Sequence, residues 1–104
     1  MALKLWNGRG YIIVDRDKEP FKSWDAAARK DGRRLSPSVY ICAHSVRDAK
    51  EMIEGYLGYL PSGVDTEFRE YFSKGCWGNC MNGITPERGI WVTEDWDNNP
   101  VRLV

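Results

Sequence analysis

Four side chains of this sequence are of the types that bind a soft metal ion: Cys42, His44, Cys76 and Cys80. Thiolates and imidazole are the usual ligands of zinc, so the four could form a Cys3His site. Cys42 and His44 lie two residues apart and would share one face of a strand. The spacings differ from the Cys-x2-Cys pairs of most zinc knuckles, and ordinary unpaired cysteines are the interpretation we favour. We therefore predict no cofactor, with a small zinc-binding module as an alternative.

The same residues permit two other kinds of chemistry. Cys42 beside His44 could be a thiol nucleophile with its base, but no third residue is evident to orient the imidazole. Cys76 and Cys80 could form a disulfide. The chain has three cysteines, an odd number that cannot pair completely within one chain, and reduced cytosolic thiols are the default. Since no complete catalytic motif is present, we predict that the protein is not an enzyme.

The sequence has one local cluster of basic residues, which consists of Arg29, Lys30, Arg33 and Arg34. Placed on a small helix and its exit loop, these residues could contact the phosphates of a nucleic acid. Tyr40 and Trp91 on an open sheet face could then stack on its bases. Acidic residues in the same stretch dilute the charge, so we favour a solvated loop. A nucleic-acid-binding protein is therefore an alternative function.

Residues 75–83 read Gly-Cys-Trp-Gly-Asn-Cys-Met-Asn-Gly, which suits neither a regular helix nor a regular strand. Five tryptophans are many for 104 residues, and Trp and Tyr are enriched where proteins bind partners. We predict that Trp77 and Asn79 of this loop bind a partner. Tyr40 and Trp91 would join them if their face of the sheet is uncovered.

Length and composition define one globular domain over residues 1–104, because domains commonly run ~100–150 residues. Hydrophobic residues make up 42% of the chain and charged residues 29%. The 15 basic and 15 acidic residues cancel, which does not indicate a globally basic nucleic-acid-binding protein. The apolar runs, such as residues 11–14 and 39–43, are too short for a membrane span or a signal peptide. We predict no membrane association and a cytoplasmic location.

The hydrophobic pattern predicts an α+β domain with a mostly antiparallel four-stranded sheet. Aromatic and β-branched residues predict strands over 11–14, 39–43, 89–93 and 101–103. A further short segment over residues 3–6, which is not counted among these four strands, could pair with the first of them as a hairpin through the turn Asn7-Gly8-Arg9-Gly10.

Helix signals predict a main helix over about residues 46–57 and a second, shorter helix over about 65–73, both on one face of the sheet. Ser45 and Asp48 match the start of a capping box, and apolar residues follow at helical spacing. The residue pattern over 23–32 predicts a short third helix, with Ser23 as its N-cap and Gly32 at its end.

Three short motifs are spread over most of the chain: Lys4-Leu5-Trp6-Asn7-Gly8-Arg9-Gly10, Gly75-Cys76-Trp77-Gly78-Asn79 and Pro86-Glu87-Arg88-Gly89-Ile90-Trp91-Val92. Together they resemble a group of small uncharacterised proteins of bacteriophages and prophages. Residues 15–37, Cys42 and Cys80 lie outside these motifs. The motifs carry no assigned chemistry, so the resemblance transfers no residue role.

What the resemblance implies is a context. Small phage accessory proteins are often host-takeover factors or anti-defence proteins, such as the anti-CRISPR proteins, and they commonly act stoichiometrically on a bacterial machine. We therefore predict a viral accessory protein that binds a bacterial host protein or nucleoprotein complex and inhibits host defence from within the host cytoplasm. An uncovered strand edge would also permit a homodimer.

Overall fold

A computed structural model describes residues 3–75, 87–94 and 100–104. Its elements, in chain order, are β1 (Lys4–Arg9), a 3-10 helix (Gly10–Ile13), α1 (Phe21–Lys30), β2 (Ser38–Ala43), α2 (Val46–Leu57), α3 (Ser62–Tyr71), β3 (Phe72–Lys74), β4 (Gly89–Thr93) and β5 (Val101–Arg102). The strands form one antiparallel sheet in the order β3-β1-β2-β4-β5. The predicted α+β class is confirmed. Within the described ranges the sheet has five strands instead of four, and three α-helices accompany it.

The predicted hairpin near the start of the chain is wrong. Asn7, Gly8 and Arg9 continue β1, and the next four residues form the 3-10 helix. Gly8 lies between Val39 of β2 and Phe72 of β3, and a Cβ atom there would overlap the carbonyl oxygen of Tyr71. The glycine therefore serves close packing of neighbouring backbones and not a turn.

The 3-10 helix replaces the strand expected over residues 11–14. Ile13 is fully buried in the core, whereas Tyr11 is 61% exposed. A run of aromatic and β-branched residues has a high strand propensity, but the packing of side chains in the core can override that propensity. Here the run instead places one of its side chains in the core.

Helix α1 confirms the predicted short helix, but its start differs. The N-cap is Pro20, and Ser23 lies inside the first turn, where its hydroxyl donates to Glu19. Phe21 is fully buried, and the Trp24 ring meets it edge-on with ring centroids 5.9 Å apart. Burial of Phe21, supported by Trp24, holds this short helix on the domain. Gly32, at φ +70°, follows its end as predicted.

Helix α2 matches its predicted bounds. The Ser45 hydroxyl accepts a hydrogen bond from the backbone N–H of Asp48 at 3.1 Å, which is the predicted cap. Gly58 ends the helix in the left-handed conformation, at φ +85°. Ala49 and Ile53 are fully buried against the sheet.

The second predicted helix is shifted toward the start of the chain. It covers Ser62–Tyr71 instead of 65–73, and Phe72 begins β3. Phe72 is 1% exposed and pairs with Gly8 of β1. Because this pairing requires an extended backbone at Phe72, the helix ends at Tyr71.

Buried side chains lie on both faces of the sheet. All three helices pack on one face, where strand residues including Val39, Ile41 and Ile90 meet Phe21, Ile53 and other helix side chains. The opposite face, called here the outer face, carries a second buried cluster of Leu5, Tyr40, Cys42 and Trp91. Along β2 the side chains alternate, with Val39 and Ile41 on the helix-packed face and Tyr40 and Cys42 on the outer face.

Candidate functional site

Tyr40 and Trp91 do not lie on an uncovered face. Tyr40 is 9% exposed and Trp91 is 4% exposed. The guanidinium of Arg102 lies over the Trp91 ring, 4.9 Å from its centroid. The condition under which these rings were expected to contact a partner as exposed anchors is therefore not met.

Arg102 is held in that position by several groups. Its guanidinium donates to Glu87 Oε2 at 3.1 Å and to the backbone carbonyl of Arg88 at 2.8 Å.

At the other end of the outer-face cluster, Gly75 packs closely on Leu5, since a Cβ atom at Gly75 would lie 2.9 Å from the Leu5 side chain. The predicted loop residues Trp77 and Asn79 lie outside the described residues.

A groove of about 540 Å³ opens at one end of the outer face, beside Tyr40. We call it the tyrosine groove, because three tyrosines line it. Its lining consists of Asn7, Gly8, Arg9, Tyr11, Ser38, Tyr40, Glu70, Tyr71 and Ser73.

Strand pairing explains why these residues meet. Asn7 lies opposite Tyr40 on one side and opposite Ser73 on the other, and Arg9 lies opposite Ser38. On β1 the outer face changes from the apolar Leu5 to Asn7 and Arg9, and β2 changes in the same direction from Cys42 to Ser38. The apolar cluster therefore gives way to a polar, tyrosine-lined end of the sheet.

Sequence reasoning missed most of this groove. Asn7 and Arg9 were assigned to a turn, which hid their alternation with Leu5 along one strand face. Tyr11 was assigned to a strand, but it projects from the 3-10 helix and is 61% exposed. A continuous strand over residues 4–9 is the signal that would have placed these side chains together.

Cys42 and His44 do not form an activated thiol. Cys42 is fully buried, and burial raises the pKa of its thiol to about 11, so the thiol stays protonated at neutral pH. His44 follows the end of β2, and its backbone N–H donates to the Asp48 carboxylate at 3.0 Å. Its buried Nδ1 has no hydrogen-bond partner within the described part of the chain.

The structure describes two of the four predicted zinc ligands, Cys42 and His44. Among residues 3–75, 87–94 and 100–104, no group of three or more His, Cys, Asp or Glu side chains is arranged to hold a metal ion. Cys76 and Cys80 lie outside these ranges. The four-ligand site therefore stays a prediction.

The basic cluster is exposed but partly neutralised. Arg29 pairs with Asp25 at 3.1 Å, and Arg33 pairs with Asp31 at 3.2 Å. The other two members, Lys30 and Arg34, are exposed and make no ion pair with any residue that the structure describes. The cluster therefore presents less free positive charge than its sequence suggests, and its expected stacking partners Tyr40 and Trp91 are buried.

No protein-family model, curated protein or solved structure matches this chain. No helix within the described ranges is long and apolar enough to cross a membrane.

Proposed function

We propose that this protein acts by stoichiometric binding to a bacterial host protein, alone or within a nucleoprotein complex, and not by catalysis. In this proposal it is a phage-encoded inhibitor of host defence, of the anti-CRISPR kind, that works in the host cytoplasm. The observation that carries the binding role is the tyrosine groove with its exposed Tyr11. The phage context is supported by the resemblance of the three sequence motifs.

The lining of the tyrosine groove has the composition of a protein-recognition surface. Tyrosines supply large, amphipathic contact area at low entropy cost, while serine and asparagine supply adaptable hydrogen bonds, as in antibody paratopes. Tyr11 is 61% exposed and so gains little from burial within its own chain. A partner that covers its ring would gain that burial.

The charges of the groove favour a protein over a nucleic acid. Arg9 and Glu70 are the only charged residues that line it, so the described lining is neutral. A polyanion would gain nothing from such a balance, because nucleic-acid affinity depends on neutralising phosphates. A loop of a host protein with its own mixed charges fits better. The nucleic-acid alternative depends on Lys30 and Arg34, and the zinc alternative on Cys76 and Cys80.

Affinity capture from lysates of bacterial hosts tests the proposal with a matched pair of variants. Tyr11 lines the groove and Tyr59 does not, yet both side chains are 61% exposed. We expect wild-type protein and Tyr59→Ala to capture the same host protein in comparable amounts. We expect Tyr11→Ala to lose most of it, because truncating an aromatic anchor costs about 2 kcal/mol or more of binding free energy.

The captured partner is then titrated with the purified chain. A complex that saturates at an equimolar ratio, with inhibition of the partner that ends at the same ratio, would support stoichiometric action. Equal loss of capture with both tyrosine variants, or inhibition far below equimolar amounts, would contradict it. Nuclease treatment of the lysate shows whether the contact is made through nucleic acid.

A further inference from the structure

A second pocket, of about 500 Å³, lies where the β3 edge of the sheet meets the helices. Three cationic side chains line it: Lys4 of β1, Arg69 of α3 and Lys74 of β3. Two hydroxyl residues, Ser45 and Ser73, also line it, and its apolar residues are Trp6, Val46 and Phe72. We call it the cationic pocket.

The strand register brings the two lysines together. Lys74 is paired with Trp6 across the β1–β3 ladder, and Lys4 lies two residues from Trp6 on the same face of β1. That face is the one on which the helices pack, because Trp6 and Phe72 belong to the main core. Arg69, in the last turn of α3, completes the set from the helix layer.

The charge of the pocket is not balanced by the carboxylates that the structure describes. No carboxylate lines it among the described residues. Eight of the 15 basic side chains form ion pairs with described carboxylates, but Lys4, Arg69 and Lys74 are not among them. All three cationic side chains are exposed, so solvent screens their mutual repulsion. Their positions around one pocket still give it a positive potential that favours an anion.

We propose that the cationic pocket binds the phosphate group of a small molecule. A phosphate monoester carries a charge of about −1.5 to −2 and three acceptor oxygens, which match two lysines, one guanidinium and the Ser45 hydroxyl. Ser73 lies opposite Asn7 and directs its side chain to the outer face, so it borders the pocket through its backbone. A carboxylate has one charge and two oxygens, and leaves part of this donor set unused.

The shape of the cationic cluster favours a small molecule over a nucleic acid. Duplex DNA presents one phosphate charge per about 1.7 Å along its axis, and its binding needs cations spread along a track. Here the cations converge on one pocket, and its volume is within the range of about 300–1,000 Å³ that is common for small-molecule sites. This inference does not depend on the tyrosine groove or on a host partner.

Titration calorimetry with pyrophosphate, supported by amide NMR shifts, tests the site. We expect saturable binding to wild-type protein, with shifts at Ser45, Val46, Ser73 and Lys74. Combined Lys4→Gln, Arg69→Gln and Lys74→Gln substitutions should weaken binding by at least about tenfold, since all three positive charges that would contact the anion are lost together.

A charge-matched control removes two lysines and one arginine elsewhere, through Arg16→Gln, Lys18→Gln and Lys22→Gln. These three residues are exposed and do not line the cationic pocket. We expect this control to change pyrophosphate affinity by less than about twofold, because distant surface charges are screened by salt. If the triple variant of the pocket fails to fold, the single variant Lys74→Gln takes its place, with an expected loss of several-fold.

Four results would overturn the proposal. The first is no saturable pyrophosphate binding, and the second is an equal loss of affinity in the charge-matched control. The third is acetate binding as tight as pyrophosphate binding, which would assign the pocket to a carboxylate. The fourth is a single-stranded oligonucleotide that binds more tightly than pyrophosphate and depends on the same three cations, which would assign it to a nucleic acid.

Discussion

Cys42 has the chemistry of a core residue. It lies fully buried between the rings and aliphatic groups of the outer-face cluster, and burial raises the pKa of its thiol to about 11. A metal ion or an electrophile would have to enter this cluster and displace the thiol proton. Nucleophilic chemistry at Cys42 is therefore disfavoured by access as well as by its protonation state.

Alkylation measures this directly. At about pH 8 only about a thousandth of a thiol with this pKa is ionised, compared with about a quarter of an ordinary one. We expect iodoacetamide to modify Cys42 in the folded protein at least about a hundredfold more slowly than in guanidinium chloride. Peptide mass spectrometry separates Cys42 from the other two cysteines. Equal rates in the two states would show that the thiol is accessible and ionised.

Asp48 connects the start of α2 to the start of β4. Its carboxylate accepts hydrogen bonds from Arg88, with Nη2 at 2.6 Å and Nε at 2.9 Å from Oδ1, and from the backbone N–H of His44 at 3.0 Å. The hydrogen bond from the guanidinium, together with that from His44, keeps the pKa of Asp48 below its ordinary value despite partial burial. Since the folded pKa is lowered, the stabilisation is present above the unfolded pKa and is lost as the pH falls through the folded pKa.

We expect Asp48→Asn to lower the free energy of unfolding by about 1 kcal/mol near neutral pH. The value is modest because Arg88 is 49% exposed, so solvent weakens its ion pair with Asp48. The matched control is Glu51→Gln in the same helix, whose partner Arg47 is 89% exposed, and its effect should stay within about 0.5 kcal/mol. Urea unfolding at several pH values checks both. The Asp48→Asn effect should disappear in acid. An effect that persists unchanged below the folded pKa would show that the carboxylate charge is not its cause.

At the level of elements, sequence patterns predicted the features that depend on interactions between residues close in sequence, such as helix caps. The approximate bounds predicted for helix α2 agree with the structure because Ser45 caps it and Gly58 ends it, and both act within one turn. Residues 7–10 were misassigned because two glycines in four positions resemble a turn. The reason for Gly8 is the Tyr71 backbone, more than 60 residues away in sequence, and no local pattern reveals such a contact.

Gly8→Ala and Gly55→Ala should have effects of opposite sign. At Gly8 the new methyl group would overlap the Tyr71 carbonyl oxygen and lie 2.7 Å from the Phe72 ring. We expect a loss of about 2 kcal/mol or more in the free energy of unfolding, as in overpacked cores. At Gly55, an exposed position within α2, nothing lies within 4 Å, so alanine should stabilise by about 0.5–1 kcal/mol. Thermal or urea unfolding of both variants measures the pair, and a neutral Gly8→Ala would contradict the close approach of β1 to the end of α3.

At the scale of the whole molecule, a chain with no net charge distributes its charges unevenly. Counted over the described residues, the cationic pocket has three cations without an ion-pair partner, whereas the tyrosine groove on the outer face has one charge of each sign. Composition predicted neither feature, since 15 basic and 15 acidic residues cancel in any sum over the sequence. Both depend on register, which decides that Lys4 meets Lys74 and that Asn7 meets Tyr40.

The three tryptophans that the structure describes pack within the domain. Trp6 and Trp91 are buried, and Trp24 packs on Phe21, so these tryptophans serve the two clusters of the domain. The exposed large rings among the described residues are Tyr11 and Tyr59, and Trp77 and Trp96 lie outside the described ranges. Side-chain type could not distinguish these roles, because a ring is equally suited to a core and to an interface until its strand face is known.

Amide hydrogen exchange of the complex with the captured host protein tests the binding role of the tyrosine groove most directly. We expect protection on binding in segments 7–11, 38–40 and 70–73, which line the groove, and no change around Tyr59. Protection confined to other segments, with exchange in the groove unaltered by the partner, would contradict the proposal that this surface holds the host protein.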